Sequence, residues 1–380
     1  MDRYDCIVVG AGPAGATAAR RLALNGLKTL LIEKEALPRY KPCGGATTPA
    51  IAKILDIDHL MAVEQVVRGV TFFSRDEQED CTFYPDSMKV QMISRVDFDM
   101  RLIEAATSAG AVLMEGTNVI SVEESENHIT VRTAGGDSIT GLVVVGADGA
   151  KSVVARNMGL YRGPGGAGIE AELYPRDAGV LEQYADRAFF GFGFIPKGYG
   201  WVFPKKDHFS VGIAATLERI PGLALIYRQF MERFEFLRDA REGSRKGWFV
   251  SFSKGPGLLN THRACLAGDA ACLTDPFSGE GIYYAVLSGA IAADTIADEL
   301  EERGGLSKKF TKEINRRIVK DFTYAKWCAD IFFLSPQFFY RRNRVVNAFA
   351  RLTNKQMQYK NVLNELRKGM ADHGIRSLSL

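Results

Sequence analysis

Six cysteines are scattered through the 380 residues without a CxxC pair. That excludes a disulfide framework and the usual zinc and iron–sulfur patterns, so no metal is expected. The five histidines stand in no signature, which makes a histidine acid such as His208 or His262 a weak candidate. No apolar run reaches the ~20 residues that a membrane-spanning helix needs. The chain passes from Met1-Asp2-Arg3 straight into an apolar run, without the basic and apolar regions of a signal peptide. Internal repeats, low-complexity tracts and nucleic-acid motifs are missing too. These absences point to a cytoplasmic protein in a reducing compartment, with no nucleic-acid partner.

What is present is an ordinary globular composition, long enough for two or three domains. The net charge of +3 hides an asymmetry: residues 306–380 hold 16 Lys/Arg against five Asp/Glu, so the preceding chain is acidic. The same tail carries Trp327, Phe332, Phe333, Leu334, Phe338, Phe339 and Tyr340, followed by Arg341-Arg342. Two readings fit: a helical region with an aromatic core and a solvated basic face, or peripheral contact with an anionic membrane.

Asp5-Cys6-Ile7-Val8-Val9 reads as a buried parallel strand. Gly10-Ala11-Gly12-Pro13-Ala14-Gly15 makes the turn, Ala16 to Asn25 a helix, and Thr29 to Glu33 a second strand. This is one βαβ half of a doubly wound fold with a dinucleotide fingerprint. Gly10, Gly12 and Gly15 permit the turn, the approach of a pyrophosphate and close helix packing. Glu33 ends the second strand, where a carboxylate can accept a ribose hydroxyl. Ser94 to Gly110 reads as a helix, His128 to Gly136 as a hairpin, and Leu142 to Gly146 as another buried strand. Residues 166–255 alternate like an antiparallel sheet. A long helix follows Gly281, and helix-forming composition resumes from Ser307 to Lys368.

Three further motifs carry a family resemblance. One is Val145-Gly146-Ala147-Asp148-Gly149-Ala150-Lys151-Ser152, ending with Arg156. The second is Cys265-Leu266-Ala267-Gly268-Asp269, continuing to Asp275-Pro276-Phe277-Ser278-Gly279-Glu280-Gly281. With the first fingerprint, these resemble the flavoprotein hydroxylase superfamily. Lys41-Pro42-Cys43-Gly44-Gly45 and Tyr199-Gly200-Trp201-Val202-Phe203-Pro204, the latter with Pro196 before it and Gly212 after, narrow the resemblance to the geranylgeranyl reductase family. Its usual second glycine is Ala214 here, which puts the local turn geometry in question.

The resemblance implies FAD as cofactor, with NADPH or a ferredoxin-type donor as reductant. It implies reduction of isoprenoid double bonds in a lipid, quinone or chlorophyll-pathway substrate. Cofactor contacts are expected at Gly10, Gly12, Pro13, Ala14, Gly15, Glu33, Lys34, Cys43, Gly44, Gly45, Asp148, Gly149, Gly268, Asp269, Gly279, Gly281 and Ile282. Arg39 and Arg95 are either pyrophosphate partners or solvated surface residues. The start of the helix at Gly281 offers free amides to charge on the reduced flavin ring.

Strand alternation puts Tyr199, Trp201 and Phe203 on one face, which either lines a prenyl pocket or packs an ordinary core; Pro204 closes the motif. Lys205 and Lys206 read as a solvated turn, or as partners of an anionic head group. Cys43 is the sharpest residue, as proton donor, as flavin-positioning group, or as a small side chain fitted to the ring. The other cysteines read as structural.

The expected fold is α/β: a Rossmann-like FAD-binding domain (1–62, 95–165 and 256–305), an inserted antiparallel-sheet substrate domain (63–94 and 166–255), and a basic helical C-terminal region (306–380). A flavin monooxygenase or halogenase acting on an aromatic substrate is the alternative. A prenyl-binding escort without redox work is disfavoured by intact Glu33, Asp148 and Asp269. A membrane quinone oxidoreductase lacks its iron–sulfur cysteines here.

Overall fold

The structure is a computed structural model describing residues 3–57, 62–77, 79–216 and 220–371. Residues 372–380 of the expected C-terminal region lie outside the described residues. Strand β1 (Arg3–Val9), helix α1 (Pro13–Leu24) and strand β2 (Thr29–Ile32) form the opening βαβ half, with β1 and β2 parallel. Helix α1 starts earlier than the expected Ala16 because Pro13 suits the first turn, where a missing N–H costs nothing.

The chain then leaves this sheet through β3 (Ala46–Thr47), α2 (Ala52–Leu55), β4 (Val63–Val67), β5 (Gly69–Ser74), β6 (Cys81–Phe83) and β7 (Val90–Ile93). Helix α3 (Arg95–Ser108), capped by the Ser94 hydroxyl, brings it back. Strands β8 (Val112–Met114), β9 (Val119–Glu124), β10 (Ile129–Thr133) and β11 (Ser138–Gly146) follow, then α4 (Val153–Asn157).

A second excursion runs through β12 (Gly166–Tyr174), α5 (Ala178–Tyr184), β13 (Arg187–Phe192), β14 (Gly198–Pro204), β15 (Phe209–Ala215), α6 (Leu223–Met231) and β16 (Arg241–Val250). Strand β17 (Ala264–Leu266) rejoins the first sheet, and α7 (Ile282–Arg303) covers it. The C-terminal region is α8 (Lys309–Ile314), α9 (Lys320–Phe332), α10 (Pro336–Tyr340), α11 (Asn343–Thr353) and α12 (Tyr359–Ala371).

The first sheet runs β8-β2-β1-β11-β10-β9. One edge of β11 pairs parallel with β1 from Thr140 to Gly146; its other edge pairs antiparallel with β10 at its start and parallel with β17 at its end. Strands β2 and β17 and the C-terminal halves of β1 and β11 are buried, as their continuous apolar runs require, while the edge strand β8 is partly exposed. The second sheet runs β16-β12-β15-β14-β13-β5-β6. It departs from the expected all-antiparallel arrangement at one pairing, because β5 and β13 run parallel. Strands β4 and β7 do not join it; they pair with β3 in a separate antiparallel sheet. Ala214 lies within β15 rather than in a turn. Among the described residues no helix is long and apolar enough to cross a membrane.

Helix α7 packs against α1, and their approach is set at Gly289. A Cβ there would lie 2.2 Å from the Ala14 carbonyl oxygen. Alanine favours a helix interior over glycine by about 1 kcal/mol. Forcing atoms into a packed contact costs about 1–3 kcal/mol, and a backbone neighbour cannot swing away. Gly289→Ala is therefore expected to lower Tm in a thermal melt, despite the gain in propensity; an unchanged or raised Tm would show that α7 yields freely.

Candidate active site

A cleft of about 1260 Å³ opens where the first sheet, the aromatic face of β14 and the C-terminal helices meet. Nearly all of the expected site residues line it. At one end, α1 begins at Gly12, which offers no side-chain cap, and continues with Pro13, Ala14 and Gly15. Uncapped amides and the positive end of the helix dipole suit a phosphate. Gly10 adopts φ +98°, which favours glycine. Gly15 does not line the cleft: a Cβ there would lie 1.8 Å from the Gly10 carbonyl oxygen, so its part is close packing.

Glu33 is 4% exposed. Its carboxylate accepts from the backbone N–H of Ala11 (2.9 Å) and of Glu35 (3.1 Å), and stands 3.3 Å from Arg39 Nε. Two backbone bonds leave a carboxylate with acceptor capacity for a ribose hydroxyl. Lys34 is exposed at the rim. Arg39 and Arg95 converge on buried Asp99: Arg39 Nη1 lies 3.3 Å away, and Arg95 forms a two-pronged pair at 3.0 and 2.9 Å. Both guanidinium groups are largely buried, so the solvated-surface reading of these arginines is wrong. Arg39 Nε is buried without a well-directed hydrogen bond, and Arg39 Nη2 lies 3.7 Å from where a Gly12 Cβ would stand. A partly unsatisfied cation beside an uncapped helix start fits a pyrophosphate.

Asp148 lines the cleft and also caps a helix. Its carboxylate accepts from Ser152 Oγ (2.5 Å) and from the Val153 and Val154 amides (2.6 and 3.2 Å), capping α4. Burial pushes its pKa up against the pull of these bonds. Gly149, at φ +81°, makes the turn beside the cleft. Gly268 donates its N–H to Ser288 Oγ, and Asp269 accepts from Thr274 Oγ1 (3.1 Å).

The 275–281 loop, with Gly279 and Gly281, leads into α7 at Ile282. Asp275, unassigned by sequence reasoning, shapes this loop. One of its oxygens accepts from the Phe277 and Ser278 amides, the other from the Tyr359 hydroxyl (2.7 Å). Lys355 reaches Glu280 at 3.5 Å. The C-terminal region thus belongs to the site. Phe332, Phe333, Tyr340 and Phe349 line the cleft, so most of the tail aromatics serve a packed wall. Their density around 332–340 was the available signal.

Tyr199, Trp201 and Phe203 share one face of β14 and line the cleft; Pro204 does not. Tyr199 donates to the Ser278 carbonyl (2.6 Å), tying this face to the 275–281 loop. Trp201 lies over Gly212, where a Cβ would stand 2.3 Å from its ring. Cys43, Gly44 and Gly45 run beneath these rings: a Cβ on Gly44 would meet Phe203 at 2.9 Å and Trp201 Nε1 at 3.0 Å. The Gly45 N–H points to Cys43 Sγ at 3.4 Å. Lys205 is not in a solvated turn. It is 5% exposed, donates to the Ile93 carbonyl (2.9 Å), and burial holds its pKa below the ordinary lysine value. Lys206 is exposed as expected. His208 is buried and paired with Asp207.

Residues 3–175 match the family profile described as an FAD binding domain. The geranylgeranyl diphosphate reductase of Rhodobacter capsulatus is 33% identical over 302 residues, covering 77% of this chain and 74% of that protein. The crystal structure of a geranylgeranyl bacteriochlorophyll reductase-like protein from Thermoplasma acidophilum superposes with a TM-score of 0.80 at 24% identity, covering 98% of this chain and 96% of that one. A halogenase solved with phloroglucinol and FAD shares the fold at a TM-score of 0.73 and 15% identity, covering 99% and 97%. FAD is therefore the cofactor, and the helix start, the Glu33–Arg39 pair and the 275–281 loop are residues of the right chemistry to hold it. The chain belongs to the geranylgeranyl reductase family of FAD-dependent oxidoreductases.

Proposed function

We propose that this enzyme saturates isoprenoid carbon–carbon double bonds of a geranylgeranyl-type lipid, quinone or chlorophyll-pathway substrate. The observation that carries this reading is the seating of Cys43 between the cofactor end of the cleft and the Tyr199–Trp201–Phe203 face. The cleft volume of about 1260 Å³ exceeds the roughly 300–1,000 Å³ of ordinary ligand pockets, which leaves room for a cofactor and an elongated second molecule.

Bound FAD in its reduced form supplies hydride. The protein must then hold the alkene, exclude water and place one proton at the second carbon. The aromatic face and the Phe332, Phe333 and Phe349 wall do the first two; apolar burial contributes about 0.8 kcal/mol per methylene. The Cys43 thiol, set by the flat glycine pair that follows it, is the proton donor in this reading.

The basic tail gives the substrate a route. Phe332 and Phe333 line the cleft, while Leu334 next to them is 67% exposed and Trp327 is 37% exposed. Lys320 and Lys326 are exposed on the same helix, a composition that suits peripheral contact with anionic lipid headgroups.

Cys43→Ala is expected to keep flavin, read by its absorbance, and to lose about 10²–10⁴-fold in the rate of alkene reduction, read as the two-hydrogen mass gain of a geranylgeranyl substrate. Unchanged reduction would remove the thiol from the chemistry. Oxygen uptake coupled to hydroxylation or halogenation of an aromatic substrate would favour the alternative reading. Trp201→Ala is expected to raise KM for the prenyl substrate more than it lowers kcat, because it removes binding area rather than the donor. For the tail, wild type should co-sediment with anionic vesicles in a salt-sensitive way, and Trp327→Ala with Leu334→Ala should not; equal sedimentation would disprove the contact.

A further inference from the structure

Behind Cys43 lies a second cavity of about 40 Å³, room for about two waters. Cys43 lines both this cavity and the cleft. The same cavity is lined by a carboxyl group that the chemistry above does not use. Glu170 sits in mid-strand on β12 and is 1% exposed. Register places it opposite Gly212, which is itself opposite Trp201, so the three share the inner face of the sheet.

Both carboxyl oxygens are held by hydroxyl groups. Tyr40 donates to Oε2 at 2.5 Å and Ser210 to Oε1 at 3.1 Å, while the Trp201 indole N–H reaches Ser210 Oγ at 3.3 Å. The prenyl-facing indole is thus two hydrogen bonds from a buried acid. Among the described residues no ion pair to Glu170 is found within 4.0 Å.

Charged neighbours pull both ways. Burial and, less strongly, Glu172 on the same strand raise the Glu170 pKa, the Tyr40 and Ser210 hydrogen bonds and Lys205 lower it, and the balance lies at about 7 instead of the ordinary 4.5. Lys246 on β16 stands opposite Glu170 in register, with its ammonium 5.1 Å from the Tyr40 ring. Glu64, His208, Lys41 and Arg95 also line the cavity. A carboxyl with such a pKa is a large fraction protonated at neutral pH, unlike an ordinary glutamic acid.

We propose that Glu170 stores the proton that restores Cys43 after each transfer, through water in the 40 Å³ cavity. The thiol gives its proton to the substrate carbon and becomes a thiolate. The Glu170 O–H bond then breaks, a proton passes along the water to sulfur, and the carboxylate recovers a proton from bulk solvent. No electrons move in this step. Glu170 touches neither substrate nor cofactor, so it is a positioning residue acting through Cys43. The inference rests on the proposed role of that thiol.

The FAD-loaded enzyme tests it in two ways. Infrared difference spectra across pH should show a protonated-carboxyl C=O band that titrates near pH 7. The band should vanish in Glu170→Gln and titrate higher in Tyr40→Phe, which removes a hydrogen bond to the carboxylate. Stability gives a second view of the same proton. The folded pKa lies above the ordinary 4.5, so the stabilisation from the protonated form is complete below about 4.5 and lost as pH rises through about 7. The Tm of wild type relative to Glu170→Gln should fall over that window. In turnover, Glu170→Gln should lower kcat at pH 6 by about 10²-fold with KM little changed, flatten the decline above pH 7, and be partly rescued by Glu170→Asp.

Absence of the band and of the Tm difference would overturn the stored proton. Wild-type kcat and pH profile in Glu170→Gln, with Cys43→Ala inactive, would overturn the relay and leave the thiol reading intact. Full activity in Cys43→Ala would overturn both.

Discussion

The Asp275 carboxylate is the constraint on which the site depends. It is 1% exposed, and its two oxygens take three donors from two parts of the chain: the Phe277 and Ser278 amides in its own loop, and the Tyr359 hydroxyl on α12. Hydrogen bonds to a charged group contribute about 1.5–3 kcal/mol each, and a buried carboxylate left unpaired costs more than any one of them returns. The loop therefore holds one shape. That shape turns the Ser278 carbonyl toward Tyr199, and so couples the 275–281 loop, the aromatic sheet and the C-terminal helices through a single acid.

The cofactor end applies the same rule with more charges. Two guanidinium groups and the carboxylates of Glu33 and Asp99 are gathered at low exposure, and their charges balance. Burial of unbalanced charge is expensive, so this set tolerates a bound anion only because Arg39 keeps a donor that the protein does not saturate. The polar groups behind Cys43 follow another solution. Glu170 has hydroxyl partners instead of a cation, and its pKa moves to about 7. That displacement brings its titration into the neutral range, where an ordinary glutamic acid is fully ionised.

Much of this was legible in the sequence, and the rest was hidden for definite reasons. The βαβ opening, the long helix after Gly281 and the shared face of Tyr199, Trp201 and Phe203 follow from local periodicity, which the fold preserves. The capping bonds of Asp148 were not legible because an acid in a glycine-rich turn can serve a ligand, cap a helix or do both, and only the position of Ser152 and α4 reveals the cap. Lys205 looked solvated because lysine seldom lies buried; its partner, the Ile93 carbonyl, is far away in sequence. The parallel pairing of β5 with β13 and the reach of α9 to α12 into the cleft are long-range contacts that no window of sequence contains. Glu170 was missed for a related reason: a Glu in an alternating strand normally marks the wet face, and here that face is turned inward.

Gly44 shows how these levels meet at the thiol. Any side chain there would strike Phe203 and Trp201, so the segment lies flat only because the residue is glycine. Lying flat puts Cys43 against the aromatic cleft on one side and the small polar cavity on the other. In the proposed reaction an apolar face would hold the prenyl chain and a polar one would move protons, yet a polar group placed inside the apolar face would be left without partners. Tyr40, Lys41, Cys43 and Arg95 line both spaces. A thiol suits the Cys43 position because it packs as a small hydrophobe and still carries a transferable proton. A carboxyl in its place would need hydrogen-bond partners from the aromatic side, which has none to spare once the Trp201 indole N–H is committed to Ser210.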